Sequence, residues 1–395
     1  MGVSRTELQR VFSERFGHGP ELLVVSPGRT EIAGNHTDHE GGHVIAAAID
    51  RAVTGLARAT TGDEMRLVSL GFGELAIRLN DLAPREGERG TTAALVRGMA
   101  AQFVERGFSP TGFDLACASE VLGGSGLSSS AAFELGLAQA MNALWADGSV
   151  AADDLALMAQ RTERVWFGKP CGLMDQAAVA LGGIQHMDFS DPSVLVAHDI
   201  AFDFDEAGHA ICIIAVGADH AANIDDYAAV PAEMQAVARE LGRGVLSEVD
   251  EADVIAALPQ LRATLGDRAA LRALHYFREE RLVAGRVAAL RAGDVGRFLA
   301  LTRLSGASSA MYLQNVSVGG AREQPSMLAL ALAEELLGDE GAARVHGGGF
   351  GGTIQAFVPR GRVEGFSQAM DAVFGEGACG RYAVDHEGAK FAWLR

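Results

Sequence analysis

Glycines followed by hydroxyl residues precede a helical pattern in the segment VLGGSGLSSSAAFELG, residues 121–136. The glycines allow a tight backbone path, and the serines at 128–130 stand where apolar residues begin to recur at helical spacing. The first N–H groups of a helix lack partners within the helix, and its dipole favours negative charge there. The segment therefore predicts a phosphate site, with a plain serine-capped helix as the alternative. It is not a Walker A loop, because no Gly-Lys-Ser/Thr follows.

A second segment, SPGRTEIAGNHTDHEGGHVIAAAID at residues 26–50, is dense in acids, amides and histidines. Polar density of this kind between strand-like runs indicates a binding loop. His39 and His43 also match the zinc-peptidase pattern H-E-x-x-H, which requires both histidines on one helix face. The two glycines between them would cost about 2 kcal/mol in a helix relative to alanine. We therefore favour a binding loop over a metal site.

A third segment, HGGGFGG at residues 346–352, matches the dinucleotide pattern G-x-G-x-x-G. That pattern requires a helix directly after the glycines, whereas TIQAFVP is a strand-like run that ends in proline. The segment is thus predicted to be a glycine loop between two strands. So many glycines indicate that its backbone approaches a ligand or another loop closely.

Two acids, Glu163 and Asp175, lie on either side of the break FGKPCG. Acids separated by Gly, Pro and Gly need not share a helix. Taken alone, they are compatible with two surface carboxylates.

The helices and strands predicted around these loops indicate an α+β fold in two lobes. Strands are predicted over residues 22–25, 44–49, 67–69, 113–118, 343–346 and 353–358, and helices over 248–261, 268–292 and 327–337. Between residues 185 and 203, two short strand candidates flank an Asp-Pro turn. We place a domain boundary there, which gives a mixed-sheet N-terminal domain, 1–200, and an α+β C-terminal domain, 201–395.

Composition excludes several classes of partner. The net charge is -18, from 33 Lys and Arg against 51 Asp and Glu, so the surface repels nucleic acid and anionic lipid. Backbone N–H groups and a metal ion can still hold a phosphate locally. The four cysteines form no C-x-x-C pair, and the amphipathic N-terminus lacks the apolar core of a signal peptide. We expect a cytoplasmic protein.

In this order, the loops resemble the signature motifs of the GHMP kinase family and, within it, the galactokinases. The galactokinase signature G-R-x-N-L-I-G-E-H-T-D-Y-N-G-G appears as GRTEIAGNHTDHEGG. The serine loop resembles P-x-G-x-G-L-[GS]-S-S-A-[AS], without the proline, and GKPCGLMDQ is similar to G-x-P-C-G-I-M-D-Q. HGGGFGG resembles the third motif, and the four matches run from residue 26 to residue 358.

The resemblance implies a two-domain GHMP kinase fold with the active site between the lobes, and ATP-dependent phosphorylation of the C1 hydroxyl of galactose in Leloir-type catabolism. It places Asp175 at the catalytic aspartate and Arg29 at its partnering arginine. The implied sugar contacts are Asn35, His36, Asp38, Gly172 and Tyr227. The implied phosphate contacts are Gly123, Gly124, Ser125, Gly126, Leu127, Ser128, Ser129 and Ser130, with Mg²⁺ on Ser129 and Glu163.

Departures from the family pattern leave the exact sugar open. Asn35 replaces a glutamate expected to meet the C6 hydroxyl of the sugar, and an amide would not repel a uronate. The alternatives are a C1 kinase for a C6-altered relative such as galacturonate, and a catalytically inactive sugar sensor. The presence of Asp175, Arg29 and Glu163 argues against the sensor. We expect a monomer without nucleic-acid or membrane partners.

Overall fold

The structure is a computed structural model that describes residues 3–121, 123, 126–191, 193–217, 224–318, 322–350 and 352–394. The helices are α1 (Arg5–Phe16), α2 (Thr92–Glu105), α3 (Ser129–Ala146), α4 (Ala152–Thr162), α5 (Met174–Leu181), α6 (Ile224–Glu240), α7 (Glu251–Thr264), α8 (Asp267–Arg291), α9 (Val295–Ser308), α10 (Pro325–Leu337) and α11 (Val363–Phe374). Within these ranges, no helix combines the length and the apolar composition needed to cross a bilayer.

The strands are β1 (Leu22–Ala33), β2 (His43–Ala59), β3 (Glu64–Ser69), β4 (Gly73–Arg78), β5 (Phe113–Ser119), β6 (Ile184–Asp188), β7 (Val196–Asp199), β8 (His209–Ala215), β9 (Ala342–Val345), β10 (Thr353–Pro359), β11 (Cys379–Tyr382) and β12 (Lys390–Trp393). The predicted strand runs fall in β1, β2, β3, β5, β9 and β10, and the two short strand candidates correspond to β6 and β7. Pro192 of the predicted turn between them lies outside the described residues. The α+β fold class is confirmed.

A mixed sheet forms the first layer. Its strands lie in the order β12-β1-β2-β5-β3-β4, with β6 and β7 continuing from β2. The pairing of β3 with β5 is parallel, and the other pairings are antiparallel. Helices α3 and α5 pack on this sheet through an apolar core that includes Leu135, Met141 and Ala177. This packing brings the starts of both helices toward β1.

A second sheet, in the order β11-β8-β10-β9, lies in the C-terminal half and is antiparallel throughout. Its strands contribute to apolar cores with α10 and α11 and with α8 and α9. The last strand, β12, returns to the first sheet, where Lys390–Trp393 pairs with β1. Sheet membership therefore changes near residue 200 and again at the C-terminus.

Buried charged side chains connect the two halves behind the end of β1. Glu31 accepts from Arg344 Nη2 at 2.6 Å, and Glu279 pairs with Arg286. The side chains of Arg286, Glu279 and Arg344 are 0% exposed. The backbone N–H of Gly34 donates to Glu279 Oε1 at 3.2 Å. Helix α8 and strand β9 thus fix the backbone that leads into the signature loop.

The buried pair predicts a pH-dependent stability. Burial raises the pKa of Glu279, but Arg286 and His275 outweigh it and lower this pKa to about 2. The ordinary value of an unfolded glutamate is about 4.3. Ionised Glu279 therefore stabilises the fold fully above about pH 4.5, and the contribution is lost as the pH falls toward the folded pKa.

Replacing Glu279 by Gln keeps the shape but leaves Arg286 as a buried, unpaired charge. We expect Glu279→Gln to lower the free energy of unfolding in urea by about 3–5 kcal/mol at pH 7. The difference from the wild type should shrink as the pH falls from about 4.5 toward 2. Glu335→Gln, at an exposed position on α10, should change stability by less than about 0.5 kcal/mol. A difference that stays constant over this pH range would contradict the ionised pair.

Candidate active site

Arg29 and Asp175 meet at the centre of the site. Arg29 comes from β1, and Asp175 from the first turn of α5. Arg29 donates to Asp175 Oδ1 from Nε at 2.8 Å and from Nη2 at 2.7 Å. The Ser128 hydroxyl donates to Asp175 Oδ2 at 2.5 Å. Two residues named from separate motifs are therefore in direct contact.

The same contacts set the charge of Asp175. Burial raises the pKa of its carboxyl group, but the Arg29 guanidinium, the Ser128 hydroxyl and the Lys169 ammonium together lower it below the ordinary value. Asp175 is therefore a carboxylate at neutral pH. Its side chain keeps 29% of its surface exposed, which leaves it accessible to a ligand.

The serine loop turns sharply before α3. Gly126 (φ 71°) and Ser128 (φ 57°) both adopt left-handed backbone conformations. The Ser128 hydroxyl makes no capping bond to α3, consistent with its contact to Asp175. Ser129 and Ser130 form the first turn of α3 and are half-buried. The predicted helix start with its partnerless N–H groups is thus present beside Asp175.

Leu127 and Gly123, two further predicted phosphate contacts, do not form part of α3. The Leu127 side chain is buried at 1% exposure, so only its backbone faces the loop. Its carbonyl accepts from the Arg29 N–H at 3.1 Å. Gly123 has open space around its Cα. Gly124 and Ser125 lie outside the described residues.

The predicted sugar contacts converge on the other side of Asp175. A Cβ atom on Gly172 would lie 2.2 Å from Asp38 Oδ2, so the Asp38 carboxylate lies directly against this glycine. The rings of His36 and Tyr227 are 5.4 Å apart. Burial raises the pKa of Tyr227 to about 12, with the charges of Asp38 and Asp175 acting in the same direction. These four residues therefore form one cluster.

His36 is neutral and fixed in orientation. Its Nε2 lies 2.9 Å from the Gly348 carbonyl and its Nδ1 lies 3.0 Å from His39 Nε2. Burial, followed by the neighbouring His39, lowers the pKa of His36 to about 3. Because a carbonyl only accepts, Nε2 carries the proton and Nδ1 accepts. His36 adopts a left-handed conformation (φ 62°) that these contacts hold in place.

The orientation of Asn35 differs from our expectation of a sugar contact. Asn35 is 0% exposed. Its amide N donates to the Gly347 carbonyl at 2.6 Å and to Glu31 at 3.3 Å, and its Oδ1 accepts from Asn315 at 2.8 Å and Ser309 at 3.2 Å. The hydrogen-bonding capacity of the amide is therefore used within the protein. In this geometry Asn35 bridges the signature loop and the glycine loop instead of facing a C6 hydroxyl.

Sequence analysis did not identify Glu31, whose residue type changes together with that of Asn35. The galactokinase signature has asparagine where Glu31 stands and glutamate where Asn35 stands, so the chain exchanges the two types. The carboxylate of Glu31 lies in the interior and pairs with Arg344. The exchange could have been read from the signature, but the Arg344 partner lies too far along the chain to be identified from sequence.

The glycine loop supports both the serine loop and the signature loop. His346 is buried, with Nε2 lying 3.0 Å from the Thr30 hydroxyl, and a Cβ on Gly126 would lie 3.1 Å from its Nδ1. A Cβ on Gly348 would lie 2.0 Å from the Tyr227 ring. The loop lies between β9 and β10, as predicted. Close approach of the Tyr227 side chain explains the glycine at position 348.

The predicted metal ligand Glu163 is 2% exposed and carries two protein partners. Lys169 Nζ lies 2.9 Å from Oε1, and Gln176 Nε2 donates to Oε2 at 2.8 Å. Glu134 lies behind them, and burial raises the pKa of its carboxyl group well above the ordinary value, with Glu163 adding to the rise. Neither Lys169 nor Glu134 was identified from the sequence.

The zinc-peptidase pattern is not a metal site in the fold. His39 lies in a single 3-10 turn, Asp38–Glu40, whereas His43 begins β2 and bonds Glu280 at 2.8 Å. Across the described residues, no three His, Cys, Asp or Glu side chains are grouped to hold a metal ion. The four cysteines are free.

Two family profiles match the chain. Residues 94–183 match the profile described as GHMP kinases N terminal domain, and residues 10–59 match the galactokinase galactose-binding signature. These ranges include β1, the signature loop, the serine loop and Asp175.

Several proteins of similar sequence and structure are galactokinases. A galactokinase from Streptomyces coelicolor is 33% identical over 367 residues, covering 92% of this chain and 91% of that protein. A galactokinase from Roseiflexus is 29% identical over 388 residues, covering 96% and 93%. The solved structure of Lactococcus lactis galactokinase complexed with galactose superposes with a TM-score of 0.83 at 25% identity, covering 98% and 99%. The family predicted from the motifs is confirmed, and the chain belongs to the galactokinases of the GHMP kinase family.

Proposed function

We propose that this chain transfers the γ-phosphoryl group of ATP to the C1 hydroxyl of D-galactose and releases galactose 1-phosphate and ADP, the first committed chemistry of Leloir-type catabolism. The observation that carries the proposal is the contact of Arg29 and Ser128 with Asp175, between the start of α3 and the cluster of Asp38, Gly172 and Tyr227. Galactokinase relatives that cover nine-tenths of the chain support it.

Asp175 and Arg29 perform the central step. Asp175 accepts a hydrogen bond from the C1 hydroxyl and then its proton, while the new O–P bond forms and the bond to ADP breaks. A carboxylate whose pKa is held low is a weak base, so its main contribution is to orient the hydroxyl. Arg29, fixed by Asp175 and by the Gly126 carbonyl, stabilises charge on the transferring phosphoryl group.

The nucleotide lies along the serine loop, where the N–H groups at the start of α3 donate to the phosphates. We assign phosphate contacts to the backbone of Gly123, Gly124, Ser125, Gly126 and Leu127 and to Ser129 and Ser130, while Ser128 acts through Asp175. The sugar lies against Asp38 and Tyr227, with a backbone contact at Gly172, whereas His36, predicted as a sugar contact, has both ring nitrogens bonded within the protein and acts by positioning Gly348. Asn35 acts by positioning Gly347.

The side-chain oxygens of Ser129 and Glu163 are suitable ligands for Mg²⁺, although Lys169 already contacts Glu163. Mg²⁺ prefers hard oxygen ligands and is commonly held by one or two protein oxygens plus substrate phosphates, which suits Ser129 and Glu163. Both oxygens of Glu163 already accept hydrogen bonds, and the ammonium of Lys169 at Oε1 would repel a cation there, so binding of Mg²⁺ favours displacement of Lys169. When bound, the ion neutralises charge on the phosphates.

The site lies between the two halves of the chain. The glycine loop of the C-terminal half contacts Asn35 and His36 of the N-terminal half through the carbonyls of Gly347 and Gly348. We propose domains of residues 1–200 and 201–395, with β12 returning to the first sheet. The use of ATP and the free cysteines suit the cytoplasmic location that we propose.

A coupled ADP-release assay over a panel of sugars tests the proposed function. We expect D-galactose to have the highest kcat/KM, with galacturonate below it because the C6 end of the site presents no free amide at Asn35. Higher kcat/KM for galacturonate than for galactose would favour the C6-altered alternative. Absence of ADP release with every sugar would favour the sensor.

Asp175→Asn should lower kcat by about 10²–10⁴-fold, because the amide keeps the shape but loses the charge and the proton acceptor. Binding of the ATP analogue AMPPNP, measured by calorimetry, should change less than threefold. Asp154→Asn, at an exposed position on α4, serves as the matched control. Retention of more than a tenth of wild-type kcat would remove Asp175 from the central role.

Gly172→Ala should weaken sugar recognition selectively. The added methyl would lie 2.2 Å from Asp38 Oδ2 and must displace this carboxylate. Loss of one hydrogen bond to a charged group corresponds to about 10–100-fold in kcat/KM for galactose. The KM for ATP should change little. Gly365→Ala, where a Cβ meets open space on α11, is the control. Equal losses for ATP and galactose would argue against a local effect on Asp38.

A further inference from the structure

Lys169 occupies the variable position of the segment G-x-P-C and contacts the carboxylate proposed to hold Mg²⁺. Lysine is rare in this protein, since the sequence contains two, Lys169 and Lys390. Its ammonium lies 2.9 Å from Glu163 Oε1. The family resemblance assigns no role to this position.

The two partners differ in their freedom to move. Glu163 is 2% exposed and Gln176 holds its second oxygen, so the carboxylate is fixed. The Lys169 side chain is 53% exposed. The N–H groups of Gly168 and Lys169 both donate to the Glu163 carbonyl, at 2.9 and 3.0 Å. The backbone of the lysine is therefore anchored, while its flexible side chain can change partners.

The charges around Glu163 favour such an exchange. Lys169 and Gln176, the residue after Asp175, both bond the Glu163 carboxylate, so the ammonium lies near the proposed site of the transferring phosphoryl group. A cation bound to Glu163 Oε1 would repel the ammonium, whereas phosphate oxygens would attract it. The lysine thus has an alternative anionic partner within the same site.

We propose that Lys169 is an exchangeable counter-ion that competes with Mg²⁺ for Glu163 and, once displaced, donates to the phosphates of the nucleotide. This inference rests on the proposed function. Lys169 then has two opposite effects on binding. It raises the Mg²⁺ concentration needed to fill the site, and it strengthens binding of the nucleotide in the absence of Mg²⁺.

Lys169→Met separates these effects, because methionine keeps much of the length and removes the charge. Calorimetric titration of Mg²⁺ into protein saturated with AMPPNP should give a half-saturating concentration at least threefold lower than in the wild type. Titration of AMPPNP in EDTA should give a Kd at least threefold higher. Lys390→Met, at a half-exposed lysine on β12 paired with Glu387, should change neither value.

Lysine labelled with ¹³C at Cε gives a second readout, because the chain contributes two lysine signals that the Met variants assign. The Lys169 signal should shift when Mg²⁺ is added to the AMPPNP complex, and the Lys390 signal should not. Lys169→Arg keeps the charge and should stay closer to the wild type in both titrations if Lys169→Met loses stability.

An unchanged or higher half-saturating Mg²⁺ concentration in Lys169→Met, or an unshifted Lys169 signal, would overturn the competition. Both titrations are made without sugar. A wild type that binds AMPPNP but does not release ADP with galactose would therefore overturn the proposed function alone. A wild type that binds no AMPPNP in either condition would overturn both.

Discussion

Buried charge at the end of β1 must be neutralised, and this constraint organises the rest of the molecule. The strand is buried along its second half although it carries Arg29 and Glu31. An isolated buried charge is costly, so each residue requires a partner of opposite sign. Asp175 of α5 neutralises Arg29, and Arg344 of β9 neutralises Glu31. One strand therefore fixes a helix of the first half and a strand of the second half around the same site.

The same constraint explains how a protein with a net charge of -18 can hold polyanionic ATP. Acidity belongs to the surface as a whole, whereas within the site Arg29 and Lys169 neutralise the carboxylates of Asp175 and Glu163. Backbone N–H groups at the start of α3 then attract phosphate without any net charge of their own. Local geometry, more than overall composition, therefore decides which ligand the site accepts.

Three loops from distant parts of the chain rely on one another. In the glycine loop, the carbonyls of Gly347 and Gly348 accept hydrogen bonds from Asn35 and His36, and the His346 side chain contacts Gly126. Side chains approach the backbone of these loops closely, as Tyr227 approaches Gly348 and His346 approaches Gly126, and such an approach favours residues without a Cβ. A change in one loop is thereby transmitted to the others through short, buried contacts.

The α+β class, most of the central strands and the family could be predicted from the amino-acid sequence, and residues for the site could be proposed, because each motif is a short contiguous segment whose pattern reflects local physics. The Arg29–Asp175 contact was implied by the resemblance and is present in the fold. The inward direction of Asn35 and the contact of Lys169 with Glu163 became visible only in the folded chain. The direction of a side chain depends on partners such as Gly347, which is 312 positions away from Asn35. Periodicity and spacing carry no information about contacts over that separation, because such contacts are set by the packing of the two halves.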